Sequence, residues 1–127
     1  MQETRRARLE AVIQEELSKL LLREIKDPRI PSLTITEVRV AQDGSHALVK
    51  FSPLGGRQGI PEKDVEKKMS DCLGGLKSAA PMMRRHLARV LTVRHIPSLA
   101  FQEDRGFENV LRVNELLKQI SDKDPVK

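Results

Sequence analysis

The chain has 127 residues, and its 23 Lys and Arg against 18 Asp and Glu give a formal net charge of +5, which favours a polyanionic partner. Its length fits one domain that buries a core without metals, and Cys72, the single cysteine, excludes an internal disulfide and lacks neighbours at metal-ligand spacing. Because no apolar run approaches the roughly 18 residues of a membrane span and the N-terminus lacks a secretory apolar region, the sequence predicts a cytoplasmic protein without membrane contact or cofactor.

The first predicted element is an amphipathic helix that ends at Asp27. Apolar residues at three- and four-residue steps form one face of this helix. They are Leu9, Val12, Ile13, Leu17, Leu20, Leu21 and Ile25. Thr4 is the candidate N-cap, and Pro28 disfavours helical dihedrals in the residue before it. We therefore predict that Asp27-Pro28-Arg29-Ile30 forms a structured exit from the helix.

Two antiparallel strands are predicted next. The apolar residues of the first, residues 33–40, change parity along the strand, so a bulge is expected near Thr36 and Glu37. Asp43-Gly44 provides the positive-φ chemistry of a tight hairpin. This hairpin leads into the second strand, residues 45–52.

A second helix is predicted to begin at Pro61. Gly74 and Gly75 interrupt it at about 1 kcal/mol each relative to Ala, so the helix is either locally weak there or closely packed. Pro81 is expected to break or sharply kink the chain, because it lacks a backbone donor. A third helix should then continue to about Leu91.

The last predicted elements are a strand over residues 98–103, with Leu99 and Phe101 inward, and a C-terminal amphipathic helix. The apolar stripe of that helix is Val110, Val113, Leu116, Leu117 and Ile120. The predicted fold is an α+β domain of order α-β-β-α-α-β with an extra C-terminal helix, whose three-stranded sheet is covered by helices on one side. We expect one domain over residues 1–120 and a flexible tail over residues 121–127.

Residues 81–96 contain four arginines and no Asp or Glu. On a helix, Arg85 and Arg89 would point away from the apolar arc and Arg84 would flank its edge. Guanidinium groups bind phosphate oxygens in pairs of hydrogen bonds, so such a ridge suits an RNA backbone, whereas three Phe and no Trp or Tyr leave few platforms for base stacking. The alternative interpretation is an ordinary solvated helix face.

Two further features of the sequence are weaker evidence for RNA binding. Arg5, Arg6 and Arg8 add positive charge to the first helix, but interleaved Glu residues favour intrahelical pairs. Gly56-Arg57-Gln58-Gly59 matches the Gly-x-x-Gly of KH domains, where that loop joins two helices and clamps a nucleic-acid backbone. Here it is predicted to lie between a strand and a helix, so we interpret it as a flexible connector and a coincidental match.

Catalysis finds little support in the sequence. The three histidines, His46, His86 and His95, are dispersed, and we find neither a Ser-His-Asp pattern nor a His-rich metal pattern. The phosphate-cradling Gly-x-x-x-x-Gly-Lys is also missing from the sequence. We therefore predict that the protein is not an enzyme.

A series of strings along nearly the whole chain supports a family assignment by its order and spacing. These strings are Asp27-Pro28-Arg29-Ile30, residues 33–40, 47–52 and 91–101, Asp104 with Glu108, and residues 112–117. Together they resemble bacterial ribosome-binding factor A, a family of small proteins with the type II KH fold.

The resemblance implies a monomeric factor that binds the small (30S) ribosomal subunit, assists late processing and maturation of its 16S ribosomal RNA, and then leaves. It also implies a link to cold adaptation, and it makes an assembly GTPase a candidate partner that promotes release. Two other functions stay open, a KH-like module for another structured RNA and a protein-interaction adaptor whose basic face meets an acidic partner.

In that family the two KH helices meet at a kink of the form Ala-x-Gly, and Ala79-Ala80-Pro81 occupies the position here. Pro81 is a departure, because Pro lacks an N–H and cannot adopt positive φ, so a backbone contact that needs either property would be lost. Arg84 and Arg94 fall where the family pattern also has Arg. The full predicted RNA-binding set is Arg84, Arg94, Arg85, Arg89, Ala79, Ala80, Pro81, Lys77, Arg5, Arg6 and Arg8.

Overall fold

The computed structural model describes residues 2–54, 57 and 60–106 of the chain. Its elements are α1 (Glu3–Arg23), β1 (Leu33–Val40), β2 (His46–Pro53), a 3-10 turn (Glu62–Asp64), α2 (Val65–Val90) and β3 (Ser98–Glu103). The predicted α+β class is confirmed, with a three-stranded sheet that packs one face against both helices. The predicted C-terminal helix and tail lie outside the described residues from residue 107 onward, although Arg105 and Gly106 are already helical.

The sheet has the order β1-β2-β3, with β1 antiparallel and β3 parallel to the central strand. The register of β1 against β2 shifts between Ile35 and Glu37, which confirms the predicted bulge and places Thr36 at it. Gly44 has a φ of 77°, as the hairpin prediction requires. The bulge restores the inward direction of the apolar side chains in the second half of β1, so Ile35 and Val38 both reach the core.

The core lies between the sheet and the two helices. From α1 it takes Leu9, Ile13, Leu17 and Leu20, while Val12 from the predicted stripe is 38% exposed. Two predictions for this helix are wrong: its N-cap is Gln2, not Thr4, and the helix ends at Arg23, not Asp27. It ends early because the N–H groups of Glu24 and Ile25 both bind the Leu20 carbonyl, a turn that directs Ile25 against the core.

The second and third predicted helices form one continuous helix, so Pro81 does not break the chain, which was the first of the two outcomes predicted. Pro81 is exposed. It has no backbone N–H, so the Lys77 carbonyl does not accept the hydrogen bond that it would accept from position 81 in a regular helix. On the opposite face Leu76 and Met83 are buried on either side of the proline. Their burial holds both halves of α2 against the sheet and offsets the loss of one hydrogen bond.

The glycine pair in α2 allows close packing, which settles the alternative left open by the sequence. A Cβ on Gly75 would stand 2.7 Å from Cγ1 of Ile30, whereas one on Gly74 would meet Nη1 of Arg29 at an ordinary 3.7 Å. The Asp27 carboxylate accepts three hydrogen bonds from Arg29, at 2.7–3.1 Å, which lower the pKa of Asp27. The predicted structured exit from α1 is therefore confirmed, and it docks on α2 at Gly75.

Candidate RNA interface

Polar contacts between the elements establish which ends of the helices and strands lie together. Glu10 accepts the Val40 N–H at 2.8 Å and Gln14 donates to the Ile35 carbonyl at 2.9 Å, so α1 runs antiparallel to β1. Arg57 pairs with Glu66 at the start of α2 and with Glu103 at the end of β3. The helix α2 therefore runs antiparallel to β3.

These directions bring four segments to one end of the domain, and three of the four carry arginines. This end contains the N-terminus of α1, the hairpin between β1 and β2, the C-terminus of α2 and the loop before β3. A hydrogen bond joins two of these segments: the Ser98 N–H at the start of β3 donates to the Ser45 carbonyl in the hairpin at 3.0 Å. We call this region the arginine end and define it by Arg5, Arg8, Arg85, Arg89 and Arg94. The opposite end, which we call the loop end, contains residues 27–32, Leu54 and Asp104.

The exposed face of α2 carries the clearest part of this cationic surface. Lys77, Pro81, Arg85 and Arg89 follow each other at four-residue steps, and all four are exposed. Met83 and Leu87 are fully buried on the opposite face, so α2 cannot rotate without removing them from the core. Across the described part of the chain, none of the ion pairs includes Arg85, Arg89 or Arg94.

Arg84 has a structural task that the sequence did not reveal. Its Nε donates to the Pro97 carbonyl at 3.2 Å and its Nη2 to the Ile96 carbonyl at 3.0 Å. These bonds fasten the loop that carries Arg94 to the side of α2. Arg84 is exposed at the edge of the helix, as predicted. It lies beside the row formed by Lys77, Pro81, Arg85 and Arg89, and its side chain supports the neighbouring loop.

The N-terminal arginines divide into two kinds. Arg6 forms an ion pair with Glu3 at 2.8 Å, which is the intrahelical pairing that the sequence favoured. Arg5 and Arg8 are exposed and line an open hollow with Gln2 and Thr4. Both side chains belong to the first two turns of α1 and therefore lie at the arginine end.

The other predicted positions lie in the middle of α2 or in the loop after β2. Ala79 and Ala80 are half-buried within the uninterrupted helix, and their RNA contact stays a prediction. Arg57 has a side-chain exposure of 20% and binds Glu103 through two hydrogen bonds of 2.8 Å, which raise its pKa further. Arg57 is therefore used inside the protein, which supports the interpretation of Gly56–Gly59 as a coincidental match; the flanking glycines lie outside the described residues.

The described residues hold no cluster of His, Cys, Asp and Glu suited to a metal ion. His86 binds Glu16 of α1 at 2.8 Å, and His46 binds the Ser98 hydroxyl at 2.6 Å, so both support contacts between elements. Burial raises the pKa of the Cys72 thiol to about 11, which suits a packing role. Within the described residues we find no helix that combines the length and the apolar composition of a membrane span.

Comparison with known proteins matches the family model described as ribosome-binding factor A to residues 5–117. Ribosome-binding factor A of Solibacter usitatus is 35% identical over 119 residues, which cover 94% of this chain and 89% of the relative. The crystal structure of ribosome-binding factor A from Thermus thermophilus superposes with a TM-score of 0.62 at 28% identity, covering 79% of this chain and 96% of that one.

A second set of Thermus thermophilus coordinates, a homology model fitted into a cryo-EM map of a complex with the 30S subunit, superposes with a TM-score of 0.57 at 28% identity. It covers 77% of this chain and 93% of that chain. The shared architecture is the KH-like fold that the sequence resemblance implied. This chain belongs to the ribosome-binding factor A family.

Proposed function

We propose that this protein is a ribosome assembly factor that binds the small (30S) ribosomal subunit through its arginine end and assists late maturation of 16S ribosomal RNA. The observation that carries the proposal is the set of exposed arginines, Arg85, Arg89 and Arg94, which lack a carboxylate partner among the described residues and stand on a rigid scaffold. Membership of the family supports the choice of the ribosome over another structured RNA.

The rigid placement of the arginines strengthens their contacts with phosphate. Arg85 and Arg89 stand on consecutive turns of α2, and Arg94 follows in the loop that Arg84 fastens. A guanidinium that is already oriented loses less conformational entropy when it binds a phosphate oxygen. Each such contact also releases condensed counterions, so affinity should fall steeply as salt rises.

Binding of this kind is sufficient to assist RNA maturation without covalent chemistry. A ligand that shifts an RNA segment from 1:99 to 99:1 must favour one conformer by about 5.5 kcal/mol. Hydrogen bonds to charged groups contribute about 1.5–3 kcal/mol each, so three arginine contacts made to one conformer supply an amount of that order. Stabilisation of the mature conformer would matter most in the cold, and an assembly GTPase would then promote release.

The test measures sedimentation of the protein with purified 30S subunits over a salt series. In the variant Arg85→Glu/Arg89→Glu/Arg94→Glu we expect affinity to fall roughly 100-fold or more, because three attractive phosphate contacts become repulsive. The matched control is Lys63→Glu/Lys67→Glu/Lys68→Glu, which makes the same charge change on exposed residues at the other end of the same helical segment. The thermal melts of both variants should stay close to that of the wild type.

Three results would contradict the proposal. Equal affinity losses in the two triple variants would show that only net charge matters and would remove the arginine end as the site. Co-sedimentation that persists at high salt, or with subunit proteins free of RNA, would favour the protein-interaction adaptor. Tight binding to another structured RNA, with none to 30S subunits, would favour the more general KH-like module.

A further inference from the structure

Two exposed apolar side chains lie where α1 and α2 approach the arginine end. Val12 of α1 is 38% exposed, and Val90, the last residue of α2, is 42% exposed. Further from that end, Glu16 of α1 and His86 of α2 are joined by a hydrogen bond of 2.8 Å. Val12 precedes Glu16 by four residues and Val90 follows His86 by four. Each valine therefore lies on the side of its helix that faces the other helix.

The directions of the helices bring the two valines to the same level. The helices α1 and α2 are antiparallel to each other, because α1 is antiparallel to β1, α2 is antiparallel to β3, and β1 is antiparallel to β3. A step of four residues is about 6 Å along a helix, and on both helices the step from the hydrogen-bonded residue to the valine leads toward the arginine end. Val12 and Val90 thus border one stretch of the groove between the helices, which we call the valine seam.

The charged groups that border the valine seam are positive. Arg8 lies one turn beyond Val12 on α1, and Arg89 is the neighbour of Val90 on α2. Both arginines are exposed, and within the described part of the chain neither belongs to an ion pair. The carboxylates of α1 are engaged with other groups: Glu3 with Arg6, Glu10 with the Val40 N–H, Glu15 with Lys19, and Glu16 with His86. The seam is therefore an apolar strip with an available guanidinium on each helix.

We propose that the valine seam packs against the ribose surface of a ribosomal RNA helix, while Arg8 and Arg89 bind phosphates beside it. The minor groove of an RNA helix is wide and shallow, displays riboses and has a phosphate backbone on each side. The seam offers the complementary pattern, an apolar centre with a guanidinium on either side. It is also continuous with the arginine end, so the same RNA is its occupant. The inference rests on the proposed function, and it adds α1 and a contact independent of salt to the interface.

Co-sedimentation of the full-length chain with purified 30S subunits over a salt series distinguishes an apolar contact from an ionic one. In Val12→Ser/Val90→Ser we expect affinity to fall about tenfold at every salt concentration, because the apolar surface that binding would bury is lost. The dependence on salt should stay that of the wild type, since this contact releases no counterions, whereas the triple arginine variant should flatten it. The matched control is Leu22→Ser/Leu54→Ser, which changes side chains 82% and 72% exposed away from the arginine end and should bind like the wild type.

A conservative variant shows whether apolar character is what matters. Val12→Ile/Val90→Ile keeps the seam apolar and should bind at least as tightly as the wild type. Undiminished binding of the serine variant, an equal loss in the leucine control, or a flattened salt dependence in the serine variant would overturn the proposal. A wild-type protein that does not sediment with 30S subunits would instead contradict the proposed function, before any variant is compared.

Cross-linking identifies what covers the seam and does not depend on the serine variant. In Val12→Cys the new thiol is open to a photoactivatable maleimide, whereas Cys72 is buried. In the complex with 30S subunits we expect the probe at position 12 to cross-link to 16S ribosomal RNA. A cross-link to a subunit protein alone would mean that a protein covers the seam, and a bound subunit without any cross-link would mean that the seam stays open. Either result would sink the RNA contact.

Discussion

The two ends of the domain use the same residue type for opposite purposes. At the loop end Arg29 is paired with Asp27, and Arg57 lies between Glu66 and Glu103, so their charges are compensated. At the arginine end Arg85 and Arg89 project from α2 with no carboxylate partner in the described chain. The role of an arginine is therefore decided by the acceptors within its reach, because a paired guanidinium must give up one partner to bind phosphate.

The largest change in stability is expected at the loop end. Tight packing there predicts that a substitution lowers the free energy of unfolding without removing a direct RNA contact. Gly75→Ala would bring its new methyl group within 2.7 Å of Ile30, whereas the same change at Gly74 has ordinary space. Both variants gain the same helix propensity, so their difference isolates the overlap, about 1–3 kcal/mol in the free energy of unfolding. Urea denaturation of the two proteins measures it.

Gly74→Ala serves as the internal control and should be neutral or stabilise the protein by up to about 1 kcal/mol. Two equally stable alanine variants would contradict the close docking of the Asp27–Ile30 exit on α2. Neither change removes a cationic group from the arginine end. At temperatures well below the melt, both variants should therefore retain wild-type affinity for 30S subunits.

A smaller change in stability is expected at the arginine end, where it should differ between two neighbouring arginines. Arg84→Ala removes two hydrogen bonds to the Ile96 and Pro97 carbonyls, so we expect a loss of about 1 kcal/mol in the free energy of unfolding. Arg85→Ala, on the next residue, should change stability by less than about 0.5 kcal/mol. Thermal melts and 30S binding of both variants should separate the supporting arginine from the exposed one.

The two substitutions should differ in their effects on stability and on 30S affinity. Arg84→Ala should lower both stability and affinity, because it frees the loop that holds Arg94. Arg85→Ala should lower affinity alone. A variant at position 84 that melts like the wild type would mean that the two carbonyl contacts contribute nothing to the position of the loop.

The smallest expected effect is on the stability of the protein in acid, and it depends on the hydrogen bond between His86 of α2 and Glu16 of α1. His86 donates a hydrogen bond to Glu16, which lowers the pKa of Glu16 below its ordinary 4.5. A carboxyl group with a lower pKa in the folded state stabilises the protein above pH 4.5, and this contribution is lost as the pH falls through the folded-state pKa. Urea denaturation between pH 6 and pH 3 should therefore show a shallower loss of stability in Glu16→Gln than in the wild type, and equal slopes would contradict this role.

Features encoded over a few neighbouring residues were predictable. The change of parity in residues 33–40 predicted a bulge near Thr36 and Glu37, and Asp43-Gly44 identified the hairpin. All three strands were predicted within one residue of their observed bounds. These predictions succeed because strand alternation and turn chemistry depend on local backbone geometry.

Features that depend on distant partners were not predictable. The helix-breaking tendency of Pro81, about 3 kcal/mol in isolation, was outweighed by burial of α2 on both sides of it. The partners of Arg84 are backbone carbonyls 12 and 13 residues away, and such acceptors leave no mark in a sequence. The contact of Gly75 with Ile30 was equally hidden, since the glycine pair alone indicated either weakness or close packing.

The α+β class, the strands and the excess of arginine between residues 81 and 96 could be read from the amino-acid sequence, because hydrophobic period, turn residues and charge are properties of short segments. The continuity of α2, the contacts of Arg84 and Arg57 within the fold, and the exposure of Arg85, Arg89 and Arg94 at one end depend on contacts between distant segments. A guanidinium binds the nearest acceptors in space, and the folded arrangement of the chain establishes which acceptors those are.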